Sequence, residues 1–426
     1  MHRTSNRRRS SKPSGVLDAC FDVGADEVHL ATTIRRERIQ RPCANRSEDL
    51  GLLFTWLGKR AKLAGYSNVR VVAEPTGIYH ELLFRIARQH GFETNFVSAE
   101  AANKLRLVIF GDYGKTDRRD PVAIAELARR GHVLRHRAFA DTFAALRSAG
   151  VLYARAERQG VTSKCRIHRA LRRVFPDFDF SPSFLFGRSG RAVFRCTGFD
   201  PHRITCAGVS RLAKRLKREV PRIRNTSVER LMRAARASKL STPDDAAHEV
   251  HLLDLRQAWS DLEDAEERKA ETGELLIRLY DDARALDSLL PAPEKGLCSK
   301  LNLARLVAET GPWSDFKGWR ELLKYVGLNL CEKQSGRWRG RTRISKKGRT
   351  LARHVLSQMV VPLVKKDRLL GDYYHHKRDV EKKAGPVAIT AAVRKLVKII
   401  WGWSRSGREF DVARVFACDG DLRKAA

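Results

Sequence analysis

Between Lys115 and Asp120 the chain reads Lys-Thr-Asp-Arg-Arg-Asp and runs straight into Pro121-Val-Ala-Ile-Ala-Glu-Leu-Ala128, a segment of helical character. Two carboxylates at positions i and i+3 of a helix lie on one face, one turn apart. At that spacing Asp117 and Asp120 can both reach one divalent cation. The plain alternative is that acidic residues in a first helical turn complement the helix dipole. Two more carboxylates stand upstream: Asp22 in Val16-Leu-Asp-Ala-Cys-Phe-Asp-Val23, and Glu74 at the close of Asn68-Val-Arg-Val-Val-Ala-Glu74. Brought to one sheet edge, Asp22, Glu74, Asp117 and Asp120 would hold one or two Mg²⁺ ions, since Mg²⁺ takes hard oxygen donors. Two such ions activate an attacking oxygen and stabilise a leaving oxygen in phosphoryl transfer. Singly, each residue has a plainer reading. Asp22 can be a turn residue beside Gly24, or part of a sugar-kinase phosphate loop, although no second D-x-G-G loop follows. Glu74 before Pro75 can simply end a strand.

A second candidate lies far downstream. Ser335 opens the stretch Ser335-Gly-Arg-Trp-Arg-Gly-Arg-Thr-Arg343, followed by Ile344-Ser-Lys-Lys-Gly348. Arg337, Arg339, Arg341, Arg343, Lys346 and Lys347 surround Trp338, a pattern suited to phosphate contact with stacking on a base. Lys115 is a further candidate for phosphate contact. No histidine base stands near Ser335 in sequence, so on local grounds it reads as a loop serine in a basic hairpin.

The elements that must position the carboxylates are legible from periodicity. Val16–Val23 reads as a buried strand, with Gly24 at its turn. Val28 to Ile39 fits a second strand, and a third follows. Ser47 is placed to cap a helix through Leu63, with Leu50, Leu53, Phe54 and Leu57 on one face. The segment 68–74 is another strand, Tyr79 to His90 a helix, Thr94 to Val97 a short strand, and a further helix leads to Lys115. Strands first, then alternating helix and strand, then a last helix is an α/β pattern that suits a ribonuclease H-like sheet. After it come a basic helix from Asp141 to about Val174, helical pieces at 209–220 and 228–238, and a long acidic helix from Asp244 to Asp287 that can pair antiparallel with the first. Pro291-Ala-Pro293 breaks the chain, and a mainly helical C-terminal part follows.

The chain has 426 residues, with 83 Lys and Arg against 49 Asp and Glu, giving a formal net charge of +34. Such a charge implies a polyanionic partner, above all nucleic acid. No long uncharged apolar run supports a membrane span. Eight cysteines are scattered without a C-x-x-C pair, which argues against a zinc ribbon, and with a basic N-terminus that lacks an apolar signal region they read as reduced cytoplasmic thiols.

With these residues in view the chain resembles the DEDD-type insertion-sequence transposases, which include the Piv-type DNA invertases and are directed by a bridge RNA. The matching segments are Phe21-Asp-Val-Gly24, Ala73-Glu-Pro-Thr-Gly-Ile-Tyr79, Gly114-Lys-Thr-Asp-Arg-Arg-Asp120, Leu171-Arg-Arg-Val-Phe-Pro176, and Tyr325-Val-Gly-Leu328 with Ser335-Gly336 and Arg343-Ile-Ser-Lys-Lys-Gly348. Residues 1–14 are polar and basic and read as a disordered arm; the resemblance implies a RuvC-like catalytic domain (15–135), a coiled-coil dimerisation segment with a basic insert (136–290) and a C-terminal transposase domain (291–410), which leaves a tail (411–426). It implies that Asp22, Glu74, Asp117 and Asp120 bind Mg²⁺, and that Ser335 attacks DNA to form a phosphoserine link. Partners would be element-end and target DNA, a bridge RNA, and further copies of the chain as a homodimer or homotetramer. Departures occur at Pro291-Ala-Pro-Glu-Lys-Gly296, at Asn329-Leu330 and at Gln334, and they leave Ser345 as the second candidate nucleophile. Two other readings remain: a RuvC-like nuclease that uses water, and an inactive nucleic-acid-binding protein.

Overall fold

A computed structural model of the chain describes residues 15–75, 77–111, 119–332, 334–335, 338–340, 342–366 and 368–412. Of the candidate residues, Lys115, Asp117, Arg337 and Arg341 lie outside these, as do the basic arm and most of the tail. The side chains of Ser335, Trp338 and Arg339 are likewise outside the description. The chain forms two compact units, Met1–Ala138 and Phe139–Ala426.

The first unit is a sheet with helices on both faces. Its elements are β1 (Val16–Val23), β2 (Glu27–Ile34), β3 (Glu37–Ala44), α1 (Ser47–Ala64), β4 (Asn68–Ala73), α2 (His80–Gln89), β5 (Glu93–Phe96), α3 (Ala99–Phe110), α4 (Asp120–Arg129) and β6 (Leu134–Arg135). The strand order is β3-β2-β1-β4-β5-β6, with β1 parallel to β4, β4 parallel to β5 and the other pairs antiparallel. This is the ribonuclease H-like arrangement expected from the sequence. Side chains alternate across a strand, and β1 buries one set entirely and Cys20 of the other. Leu17, Ala19, Phe21 and Val23 pack with α1 and α2, whereas Cys20 faces Ile124 and Leu127 of α4 and Ala102 of α3.

Two local expectations need correction. Val28 to Ile39 is not one strand: β2 and β3 form a tight hairpin at Arg35-Arg36, both with positive φ (49° and 75°). Such turns favour Gly or Asn because other side chains are strained there, so an Arg-Arg pair gives no turn signal. Ser47 does not cap α1; it is the first helical residue, and the capping position is held by Arg46 without a side-chain cap.

The second unit is helical. Two long helices, α5 (Asp141–Val174) and α11 (Ala246–Leu286), pack antiparallel, as contacts of Tyr153 with Gly273 and of Arg166 with Asp254 and Asp261 require. Between them in sequence lie α6 (Pro182–Leu185), α7 (Arg188–Thr197), α8 (Pro201–Ala207), α9 (Val209–Glu219) and α10 (Asn225–Ser241). After them come α12 (Lys300–Thr310), α13 (Trp319–Val326), the two-residue strands β7 (Leu330–Cys331), β8 (Gln334–Ser335), β9 (Trp338–Arg339) and β10 (Arg343–Ile344), then α14 (Thr350–Val360), α15 (Gly371–His375) and α16 (Gly385–Ser406). The two long helices carry two separate cores. Phe143, Leu146 and Tyr153 pack with Leu276, Tyr280 and the C-terminal helices; Ile167, Leu171 and Val174 pack with Leu255, Trp259, Leu262 and α6–α10. Among the described residues no helix is long and apolar enough to cross a membrane.

Candidate active site

The alternation in β1 decides where Asp22 stands. Cys20 belongs to the face covered by α3 and α4, and Asp22, two residues on, belongs to the same face. Cys20 pairs with Val72 and Phe21 with Ala73 in the parallel register of β1 and β4. The paired register ends there, with Asp22 and Glu74 the residues that follow Phe21 and Ala73 in each chain segment, and Val72 likewise belongs to the α3–α4 side. The fold thus puts two of the four carboxylates at neighbouring strand ends, with α4 packed against both strands. Asp22 is half-buried, and its Oδ1 accepts the Val23 N–H at 3.0 Å.

Asp120 is the first residue of α4 and is only 2 % exposed. A carboxylate so deeply buried requires a positive partner. The partner is Arg106 of α3, itself 7 % exposed, whose Nε lies 2.8 Å from Asp120 Oδ1. That contact is close but is not aligned as a hydrogen bond. From the same guanidinium Nη2 donates to Glu74 Oε1 at 3.3 Å, and Nη1 donates to Asn103 Oδ1 at 2.7 Å. Glu74 and Asp120, 46 positions apart in sequence, therefore converge on one cation. Arg106 is the residue that sequence reasoning missed. No local pattern in the sequence marks it, because the partners that hold it lie at positions 74 and 120.

Donors that gather around a buried guanidinium are hard carboxylate oxygens, the donor chemistry that suits Mg²⁺. Among the described residues no three His, Cys, Asp or Glu side chains stand together closely enough to hold a metal. Asp117, the fourth expected ligand, lies outside them. Cys20, on the same face, is fully buried; burial, reinforced by Asp18 and only partly offset by Arg70, pushes its thiol far up, so it stays a neutral packing group.

In the second unit Ser335 lies in β8, directly across from Trp338 in the antiparallel strand β9. Ser345 follows β10, which pairs with β7. The Ser345 hydroxyl donates to Asn329 Oδ1 at 2.6 Å, and its backbone N–H donates to the Asn329 carbonyl at 2.9 Å. The second candidate nucleophile is thus tied to the residue that departs from the family pattern. Arg343, Lys346 and Lys347 are exposed around it.

Residues 19–176 match a family described as transposase, of the IS110 DEDD type, and residues 298–375 match the transposase IS116/IS110/IS902 family. The chain belongs to the IS110 family of transposases. The two matched stretches hold Asp22, Glu74, Asp120 and Arg106 in the first and Ser335 and Ser345 in the second. The transposase is similar to two solved structures of Thermus thermophilus RuvC. One is in complex with a Holliday junction substrate (12 % identity, 28 % of this chain and 99 % of that chain, TM-score 0.21). The other is RuvC by itself (13 % identity, 28 % and 99 %, TM-score 0.19). No curated protein matches the chain.

Proposed function

We propose that this transposase cuts and rejoins DNA through a serine, with a metal held by Asp22, Glu74, Asp117 and Asp120. The observation that carries the reading is the convergence of Glu74 and Asp120 on Arg106, with Asp22 at the end of the strand next to the one that Glu74 follows. When bound, Mg²⁺ would stabilise charge on the phosphate and favour attack by a hydroxyl oxygen. Ser335 Oγ forms a bond to phosphorus as one strand oxygen leaves and takes up a proton. The resulting phosphoserine conserves the phosphodiester for a later DNA hydroxyl, which attacks it and releases the serine. Arg343, Lys346 and Lys347 hold backbone phosphates near the hairpin. A bridge RNA selects the two DNAs by base pairing, so the protein needs few base-reading contacts. The long helices α5 and α11 serve as the assembly segment that brings protomers together, so that the carboxylates of one meet the serine of another. The three-part division of the chain at about residues 135 and 290 belongs to the same proposal.

The test is a covalent adduct assay. The full chain is incubated with Mg²⁺, RNA from the element's flank and labelled element-end DNA, then denatured. Label on protein that disappears in Ser335→Ala and in Asp120→Asn supports the reading. Metal-dependent cutting with no adduct moves the assignment to a water-using nuclease. Binding with neither adduct nor cutting leaves an inactive nucleic-acid-binding protein.

A further inference from the structure

The stretch from Ser181 to Thr242 lies outside both family matches. It is also among the most cationic parts of the chain, with fifteen Lys and Arg against three Asp and Glu. Its charge is not evenly spread. In α9, Leu212 and Leu216 are buried in the core shared with α5 and α11. On the opposite side Arg211, Lys214, Arg215, Lys217 and Arg218 are all exposed, and none makes an ion pair among the described residues. The one acid of α9, Glu219, is taken by Arg195. Beside this face runs an open groove of about 580 Å³, lined by Lys214, Lys217 and Arg218 of α9 and by Asn225 and Glu229 of α10.

Helical spacing turns these residues into a row. Arg211, Lys214 and Arg218 follow one another at three and four residues, so they share a face over roughly 10 Å of helix at 1.5 Å per residue. A DNA strand carries one phosphate per about 3.4 Å of helix axis, so the row spans about three phosphates. Between Val209 and Ser241 there is no Phe, Trp, Tyr or His. Single-strand binders stack bases on aromatic rings, and this face offers none. A bilayer is also a poor fit, because the apolar side of α9 is already used in the core and leaves nothing to insert.

We propose that the exposed face of α9 and the adjoining edge of α10 dock the phosphate backbone of double-helical DNA, as a second contact surface separate from the Arg337–Lys347 stretch. The surface reads no sequence; it adds salt-sensitive affinity and holds duplex against the helical insert. It is independent of the metal and serine chemistry proposed above.

The test uses the full chain and a fluorescent duplex of about 30 base pairs unrelated to the element ends, titrated over about 50 to 250 mM KCl. Each lost phosphate contact flattens the plot of log affinity against log salt by about 0.9. The variant with Arg211→Gln, Lys214→Gln, Lys217→Gln and Arg218→Gln should therefore lose about two to four units of slope, and bind about tenfold or more weakly near 150 mM salt. Arg211→Lys with Arg218→Lys should bind as the parent does. Glu229→Gln, which removes the acid from the groove, should tighten binding, a gain that misfolding cannot produce. Unchanged slope in the fourfold variant, or no gain in Glu229→Gln, overturns the proposal. A larger loss on a hairpin RNA of equal phosphate number than on the duplex would assign the surface to RNA and overturn it as stated.

Discussion

Arg106 Nε stands 2.8 Å from Asp120 Oδ1 in a setting where both side chains are almost wholly shielded from water. Removing one partner of a buried pair leaves the other charge uncompensated, at a cost of about 3–5 kcal/mol. Arg106→Ala should therefore lower the melting temperature strongly in EDTA. Because a divalent cation can replace the lost positive charge beside Glu74 and Asp120, millimolar Mg²⁺ should restore more stability to the variant than to the parent. Thermal unfolding with and without Mg²⁺ reads this directly. Equal Mg²⁺ shifts in the two proteins would mean that the carboxylates around Arg106 do not form a metal site.

The two candidate serines should separate cleanly. Ser345 donates a 2.6 Å hydrogen bond to Asn329, so Ser345→Ala should cost about 1 kcal/mol of stability while leaving the DNA adduct in place. Ser335→Ala should leave stability unchanged and abolish the adduct. The reverse pattern would make Ser345 the nucleophile.

Gly150 is placed where α5 and α12 touch. A Cβ there would lie 2.7 Å from the Cβ of Ala308, closer than packed carbons approach. Gly150→Ala forces the two helices apart, and overpacking of this kind costs about 1–3 kcal/mol, against a helix-propensity gain of up to about 1 kcal/mol. Pairing it with Ala308→Gly should recover most of the packing loss. A double-mutant cycle with no coupling would show that the two helices do not meet at this point.

Glu157 of α5 is held by Arg305 at 2.8 Å, with Lys269 and His354 at 3.6 Å and a hydrogen bond from Gln358 at 3.4 Å. Burial pushes its carboxyl up, but the Arg305 charge and the other partners outweigh it and hold the group below the ordinary glutamate value of 4.5. A carboxylate depressed in the folded state contributes stability above its unfolded value and loses it as pH falls through its folded value. The melting difference between the parent and Glu157→Gln should thus be full at about pH 6 and shrink as pH drops below about 4.5. A difference that grows in acid would contradict this arrangement.

The reach of the sequence was uneven for physical reasons. Strands β1 and β4 announce themselves because one face of each is wholly buried and Cys20 and Val72 are buried on the other, so apolar residues run together before Asp22 and Glu74 and the carboxylates stand out. From there alternation puts Asp22 on the face of Cys20, and Glu74 follows the paired end of β4. Helices α5, α9 and α10 were legible to within a few residues because each has one apolar stripe. The hairpin at Arg35-Arg36 was not legible, since its turn uses residues that carry no turn preference. Arg106 was invisible because its role depends on partners at positions 74 and 120. Long-range pairing of this kind leaves no local period.

The two cores strung along α5 and α11 have a mechanical meaning. From Tyr153, in one core, to Ile167, in the other, α5 climbs fourteen residues, or about 20 Å. The stretch between is braced by an antiparallel partner, so it works as a strut of set length. The spacing of the two cores is therefore written in the helix itself, comparable to about six base pairs of duplex at 3.4 Å each. Adding one heptad to both helices would widen that interval by about 10 Å with little rotation. The pair thus behaves as a caliper, with its gauge set by chain length.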